Sequence, residues 1–248
     1  MLPAYNEEAV IAETLRRTHA ALAGLGLSTF EVIVVDDGSG DSTRSRCEEM
    51  ASELSGVRVL AHPVNRGYGA ALRTGFEAAR CDAIFLMDSD GQFDPADIRL
   101  LLSAWSPTAV VCGCRAERSD PLFRRLNNRA FFGIVSIAFG PTARDVNCGF
   151  KLFPRALGRG LGAEGALICT ELLLRARAQG LRTIDVPVPH YPRLTGIPTG
   201  ARPGVILRAF GELWRLRRRL HRAHSAARRS QAGGEVAPPA AAHPGRVS

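Results

Sequence analysis

The sequence of 248 residues contains a single lysine, Lys151, so almost all of its positive charge is arginine. The net charge of +8 suits nucleic acid, anionic lipid or phosphorylated substrate alike, and only the positions of the arginines can choose among them. Nucleic acid is disfavoured, because no reading helix is recognisable. No apolar run reaches the ~18 residues of a spanning helix. A secretory leader is also missing, since Met1 runs directly into Pro3 and Asn6-Glu7-Glu8, and the expected location is the cytoplasm. The six cysteines include no Cys-x-x-Cys pair. Cys112 and Cys114 bracket one glycine, a poor spacing for zinc, so all six read as reduced thiols. Gly67 and Gly69 begin a dinucleotide fingerprint, but Leu72 stands where its third glycine belongs, which argues against a nicotinamide site.

What is present is an alternation. Apolar runs at 30–35, 57–61, 83–87, 109–113 and 182–188 read as strands. Helical periodicity occupies 7–22, 43–54, 70–79, 95–105 with Asp94 as its cap, and 167–178. The expected fold class is α/β, a single domain with a mainly parallel sheet and helices on both faces. Residues 1–5 are only the stub of a strand, because strands of parallel sheets usually run about 5 residues or more. Either the native start lies upstream or the first strand is short. The folded domain is expected over 1–220. Residues 221–248, rich in Ala, Pro and Arg, are expected to be disordered.

The chemistry gathers at strand ends. The run Ala83 to Met87 leads into Asp88-Ser89-Asp90-Gly91-Gln92. Open α/β sheets bind ligands outside the carboxyl ends of their strands. Two carboxylates one residue apart repel unless a cation sits between them. A hard divalent ion with oxygen ligands suits them, and Mg²⁺ commonly also takes substrate phosphate oxygens. Acid recurs at Asp36-Asp37 after the second strand, and Arg115 follows the fifth. A solvated Asp-rich turn explains any one of these and not the clustering.

Residues 118–139 pattern as an amphipathic helix, with Arg124, Arg125 and Arg129 toward one end and apolar residues toward the other. It reads either as a core helix with a snorkelling rim or as a helix lying on anionic lipid. Residues 205–220 form a second amphipathic stretch with a basic end. Glu171 reads either as a general base or as the partner of Arg175 one helical turn away.

Seven motifs, taken in order, resemble the family 2 glycosyltransferases of the glycosyltransferase-A fold, and within them the dolichol- or polyprenyl-phosphate sugar synthase branch. They are Pro3-Ala4-Tyr5-Asn6-Glu7, Asp36-Asp37-Gly38-Ser39, Asn65-x-Gly67, Asp88-Ser89-Asp90-Gly91-Gln92, Gly113-Cys114-Arg115, Asp145-x-x-Cys148-Gly149-Phe150, and His190-Tyr191-Pro192-Arg193 with Gly196 behind it. The match runs from Met1 to about Arg219. The departures are the short first strand and a cysteine before Gly149 where many relatives have serine.

The resemblance implies roles. Pro3, Tyr5, Glu7, Asp36, Asp37 and Asn65 would hold the base and ribose of a nucleoside-diphosphate sugar, GDP- or UDP-linked. Asp88 would contact the ribose or the metal, and Asp90 and Gln92 would ligate Mg²⁺ or Mn²⁺. Arg115, with one of Arg124, Arg125 or Arg129, would bind the acceptor phosphate near Asp145. Arg193 would meet the donor diphosphate. The expected activity is an inverting transfer onto a polyprenyl phosphate at the cytoplasmic membrane face, with peripheral attachment and no nucleic-acid partner. Two alternatives stay open: transfer to a saccharide or protein hydroxyl with Glu171 as base, and a non-catalytic nucleotide-sugar or membrane-binding protein.

Overall fold

A computed structural model describes residues 1–115, 133, 140, 143–163, 165, 167–193 and 218. The amphipathic stretches 118–139 and 205–220, Arg124, Arg125, Arg129, Gly196 and the tail 221–248 lie outside the described residues, Gly133 and Arg218 excepted.

Seven strands are described. They are β1 Leu2–Ala4, β2 Val32–Asp36, β3 Val57–Ala61, β4 Ala83–Met87, β5 Ala109–Arg115, β6 Phe150–Pro154 and β7 Arg182–Val188. The helices are α1 Ile11–Ala23, α2 Thr43–Glu53, α3 Tyr68–Ala78, α4 Ile98–Leu102, α5 Arg155–Gly158 and α6 Ile168–Ala178. One group of strands runs β1-β2-β3, all parallel, and the other runs β4-β6-β5-β7. The Met1 nitrogen donates to Phe85 O at 2.8 Å and Met87 N–H donates to Met1 O at 3.1 Å, a parallel link between β1 and β4. The strands therefore follow the order 3-2-1-4-6-5-7.

The sheet is mainly parallel, as its alternation with helices predicts, and β6 is the exception. It runs antiparallel to both β4 and β5. Its beginning therefore lies at the edge where β4 and β5 end.

Both faces are covered. Val32, Val34, Phe150 and Leu152 pack beneath Ile11 and Leu15 of α1, Met50 of α2 and Leu101 of α4. On the other face Ile33, Val35, Ile84, Leu86 and Val110 pack against Leu72 and Phe76 of α3 and Leu172 and Leu173 of α6. Residues of opposite parity on one strand go to opposite faces. That is why β2 carries an unbroken apolar run instead of alternating.

Two helices differ from their periodicity. The first begins at Ile11 and not at Glu7, because Glu7 O accepts from Val10 and Ile11 N–H and residues 7–10 close a turn. The fourth is broken into a 3₁₀ turn, Pro95–Asp97, and α4. Asp94 starts the turn by accepting from Ala96 N–H at 3.0 Å. The Ser103 hydroxyl competes at the far end by turning back onto Leu100 O at 2.8 Å. All six cysteines are free thiols.

The crossing of β5 and β6 leaves no room at Gly113, where an added Cβ would lie 2.8 Å from Phe150 O, a backbone atom that cannot swing aside. Gly113→Ala should therefore destabilise the fold by about 1–3 kcal/mol in chemical denaturation. A variant as stable as the parent would show that the two strands can separate without cost.

Candidate active site

The carboxyl ends of β1, β2, β4, β5 and β7 open on one edge of the sheet, and the antiparallel β6 brings the turn 145–149 to the same edge. Three groups of side chains meet there.

The first joins the turns after β1 and β2. Asn6 takes a positive φ of 56°, which its short polar side chain tolerates. Its N–H donates to Ser39 Oγ at 2.9 Å, and its side-chain oxygen accepts Gly40 N–H at 2.9 Å. Glu7 N–H donates to Thr43 Oγ1 at 2.8 Å. Asp36 is buried and accepts Ser39 N–H at 3.2 Å. Asp37 is buried and takes three partners. It accepts Arg66 N–H at 3.0 Å and Gly67 N–H at 2.7 Å, and pairs with His62 Nδ1 at 2.6 Å. The other His62 nitrogen meets Thr74 Oγ1 at 2.9 Å. Asp37 thus fixes the loop that carries Asn65 to the start of α3. Gly38, at φ 70°, lets that loop pass, since a Cβ there would come within 2.4 Å of the Val64 carbonyl carbon. Tyr5 and Asn65 are exposed on the rim, whereas Pro3 is buried and its carbonyl accepts the Ser89 hydroxyl at 2.6 Å.

The second group is the acidic centre. Asp90 is buried, and its Oδ1 accepts Gln92 N–H at 3.1 Å. Arg193 pairs with Asp90 and reaches Glu7 Oε1 at 3.4 Å. Asp88 accepts the Tyr68 hydroxyl at 3.0 Å, and its N–H donates to Gly149 O at 2.9 Å. Burial, then repulsion from Asp90, raises the Asp88 carboxyl from its ordinary 3.8 to about 6. Burial raises Glu7 to about 7, against the pull of Arg193 and with repulsion from Asp90, Asp41 and Asp88. The cluster is short of positive charge even with Arg193 in place. Its donors are hard oxygens, which fit Mg²⁺ or Mn²⁺. Among the described residues no group of three or more His, Cys, Asp or Glu side chains could hold a metal. Gln92 is occupied otherwise as it stands. Its Nε2 donates to Tyr191 O at 3.0 Å, and Tyr191 N–H returns to Gln92 O at 2.9 Å, so Gln92 straps the segment that bears Arg193.

The third group is Arg115 with Asp145. The guanidinium grips the carboxylate through two bonds, 2.7 and 3.0 Å, in a half-buried setting. A phosphate arriving at Arg115 would meet a fork already paired with a carboxylate.

Glu171 lies apart from these groups. It is buried on α6, accepts Gly162 N–H at 2.9 Å and Ala163 N–H at 2.7 Å, and pairs with Arg175 at 3.0 Å. Three donors occupy its carboxylate, which leaves it poorly placed to take a proton from a substrate. The sequence also left His62 unremarked, because a lone histidine after a strand carries no signal of the carboxylate it meets.

A carboxyl whose pKa is higher folded than unfolded holds its proton more tightly in the folded chain. The Asp88 charge therefore costs stability increasingly as pH rises from 3.8 to about 6, and costs it fully above that. Asp88→Asn should raise the melting temperature at pH 8 by ~4 °C or more, with the gain shrinking toward pH 4. A lower melting temperature at pH 8 would mean that the carboxylate is held by attraction and not by force.

Similarity to known proteins accords with this geometry. The pattern that defines Glycosyl transferase family 2 matches residues 1–159. An undecaprenyl-phosphate 4-deoxy-4-formamido-L-arabinose transferase of Pseudomonas aeruginosa (strain LESB58) is 36% identical over 203 residues, which is 79% of this chain and 58% of that protein. The transferase of the same name from Edwardsiella ictaluri (strain 93-146) is 32% identical over 203 residues, 79% of this chain and 60% of its own length. The chain thus spans about three-fifths of the length of these curated relatives. Among solved structures, glucosyl-3-phosphoglycerate synthase from Mycobacterium tuberculosis aligns with a TM-score of 0.63 at 22% identity, covering 87% of this chain and 78% of that one, in a complex with Mn²⁺, UDP-glucose and phosphoglyceric acid. The same enzyme with Mg²⁺ and UDP aligns at 0.62 and 20% identity, covering 87% of this chain and 77% of that one. At such identity the likeness shows the fold alone, that of the glycosyltransferase-A enzymes. With these sequence matches and this sheet, the chain belongs to glycosyl transferase family 2.

Proposed function

We propose that this chain moves a sugar from a nucleoside-diphosphate sugar to a polyprenyl phosphate, with a divalent metal and with inversion at the anomeric carbon. The observation that carries the reading is the convergence of Glu7 and Asp90 on the single guanidinium of Arg193, with Asp88 near enough to repel both carboxylates. Carboxylates held so close, two of them with raised affinity for protons, are built to receive added positive charge.

In this reading Asp88 and Asp90 hold Mg²⁺ or Mn²⁺. When bound, the ion supplies electrostatic stabilisation of the charge that develops on the departing diphosphate. Arg193 leaves Asp90 and turns its donors to the same phosphates, and Gln92 keeps its segment within reach. Tyr5, Asn65 and the Asp36 turn border the nucleoside, whether GDP or UDP. The acceptor phosphate is an anion near neutral pH and needs no general base, only orientation, which arginine provides bidentately. Arg115 and one of Arg124, Arg125 or Arg129 are the proposed acceptor ligands. The names of the curated relatives support a lipid-phosphate acceptor. The commitment of Glu171 to three donors weighs against a hydroxyl acceptor that would need it as base.

The deciding assay offers a panel of GDP- and UDP-sugars with Mg²⁺ or Mn²⁺, with and without a short polyprenyl phosphate. Lipid-dependent release of one nucleoside diphosphate is expected, falling ~100-fold or more in Asp90→Ala. Metal-dependent donor binding without lipid-stimulated turnover would transfer the case to a hydroxyl acceptor or to a binding protein.

A polyprenyl chain stays in the bilayer, so the site must come to it. No helix among the described residues is long and apolar enough to cross a membrane, and peripheral attachment through the arginines of 118–139 and 205–220 is proposed. The protein should sediment with anionic vesicles at low salt and leave them as salt rises, each basic residue near the lipid contributing ~1 kcal/mol. Failure to sediment at low salt would remove the attachment from the proposal.

A further inference from the structure

Lys151, the only lysine of the chain, is 0% exposed. An ammonium inside a sheet is costly unless it is bonded and answered by opposite charge. It stands at the second position of β6, opposite Leu86 of β4 and Cys112 of β5. Phe150 and Leu152 go to the face under α1, and the period of two turns Lys151 to the other face, that of Cys112, Val146 and Cys169. There its Nζ donates to the carbonyl oxygen of Cys148.

Three thiols surround it, and none can be its counterion at neutral pH. Burial pushes Cys112 and Cys148 up to about 12, and Cys169 in the same direction. The charges within its reach are the carboxylates of Asp145 and Asp88. Both belong to the candidate site.

The carbonyl that Lys151 grips is also well chosen. Cys148 N–H donates to Asp145 O at 3.1 Å, which closes the turn 145–149. At one end of that turn, Asp145 holds Arg115. At the other, Gly149 O accepts Asp88 N–H at 2.9 Å, and Gly149 is packed so closely that an added Cβ would lie 2.0 Å from Asp88 Oδ2. A shift of this turn would move Asp88 and the Arg115–Asp145 pair together.

We propose that Lys151 is a positioning residue for both halves of the site: from inside the core its ammonium anchors the 145–149 turn and sets a fixed positive charge behind Asp88 and Asp145. Its effect on metal and nucleotide rests on the proposed function; its coupling to Asp88 does not.

A single lysine makes the test direct. The full chain labelled with ¹³Cε,¹⁵Nζ-lysine gives one side-chain signal, which belongs to Lys151. Asp88→Asn should move that signal without any ligand, whereas Glu13→Gln, on the exposed face of α1, should leave it still. Mg²⁺ with UDP or GDP, at concentrations that calorimetry shows to saturate, should move it again. Lys151→Met should weaken Mg²⁺-dependent nucleotide binding about 10–100-fold, as loss of a supporting partner usually does. Lys151→Arg, which returns the charge but adds buried donors that the position cannot all pair, should restore only part of it, whereas a merely space-filling role would gain nothing from the charge. A signal indifferent to Asp88→Asn overturns the proposal, as does a folded Lys151→Met protein with unchanged metal-dependent affinity. If Lys151→Met fails to fold, the labelled Asp88→Asn protein still decides. If no nucleotide binds the parent chain, the proposed function falls while that same comparison judges Lys151.

Discussion

Repulsion among carboxylates is the constraint from which the site is built. Glu7, Asp36, Asp37, Asp88, Asp90 and Asp145 stand at one edge of one sheet, and all but Glu7 and Asp88 are buried. Unanswered, they would drive that edge apart. Each is answered differently. Asp36 accepts one backbone N–H, and Asp37 accepts two and pairs with His62. Asp145 is neutralised by Arg115. Asp90 and Glu7 share Arg193, Asp88 has the Tyr68 hydroxyl with Lys151 and Arg115 behind it, and the raised carboxyls of Glu7 and Asp88 show that this is not enough. The residual negative charge is confined to the place where a cation and a diphosphate are proposed to bind.

The antiparallel β6 makes the arrangement possible. A parallel strand there would have begun at the opposite edge and carried the 145–149 turn away from the strand ends. Reversed, it brings Asp145 to Arg115 and lays Gly149 against Asp88. The same strand then passes Lys151 into the core one residue after Phe150. A topological exception to the doubly wound pattern thus serves the candidate site as well as the packing.

Most of the frame was legible in the sequence. Apolar runs gave β2, β3, β4 and β7 at or near their observed bounds, and acid at strand ends marked the crevice. The direction of β6 was hidden, because a short apolar run carries no sign of its partner's orientation. Roles within the crevice were less legible than its position. Asp36-Asp37 looks like one ligand pair, yet only three dimensions show that Asp37 also meets His62 and two backbone donors. The two readings of Glu171 were equal until the N–H groups of Gly162 and Ala163 were seen to converge on it. Spacing along the chain reports which residues can gather; it does not report how many bonds each has already made.

The choice of lysine at 151, in a chain that uses arginine everywhere else, fits the same argument. A guanidinium is a broad planar fork, suited to bidentate work at the surface of the crevice, as Arg115 shows. Inside the sheet, between Leu86 and Cys112, one acceptor is offered among the described residues, the Cys148 carbonyl. A compact point charge on an apolar stem satisfies that acceptor and lines its carbons against the core. It does so without leaving several buried donors unpaired. The position therefore asks for a charge with few hydrogen-bonding demands, and lysine is the side chain that carries one.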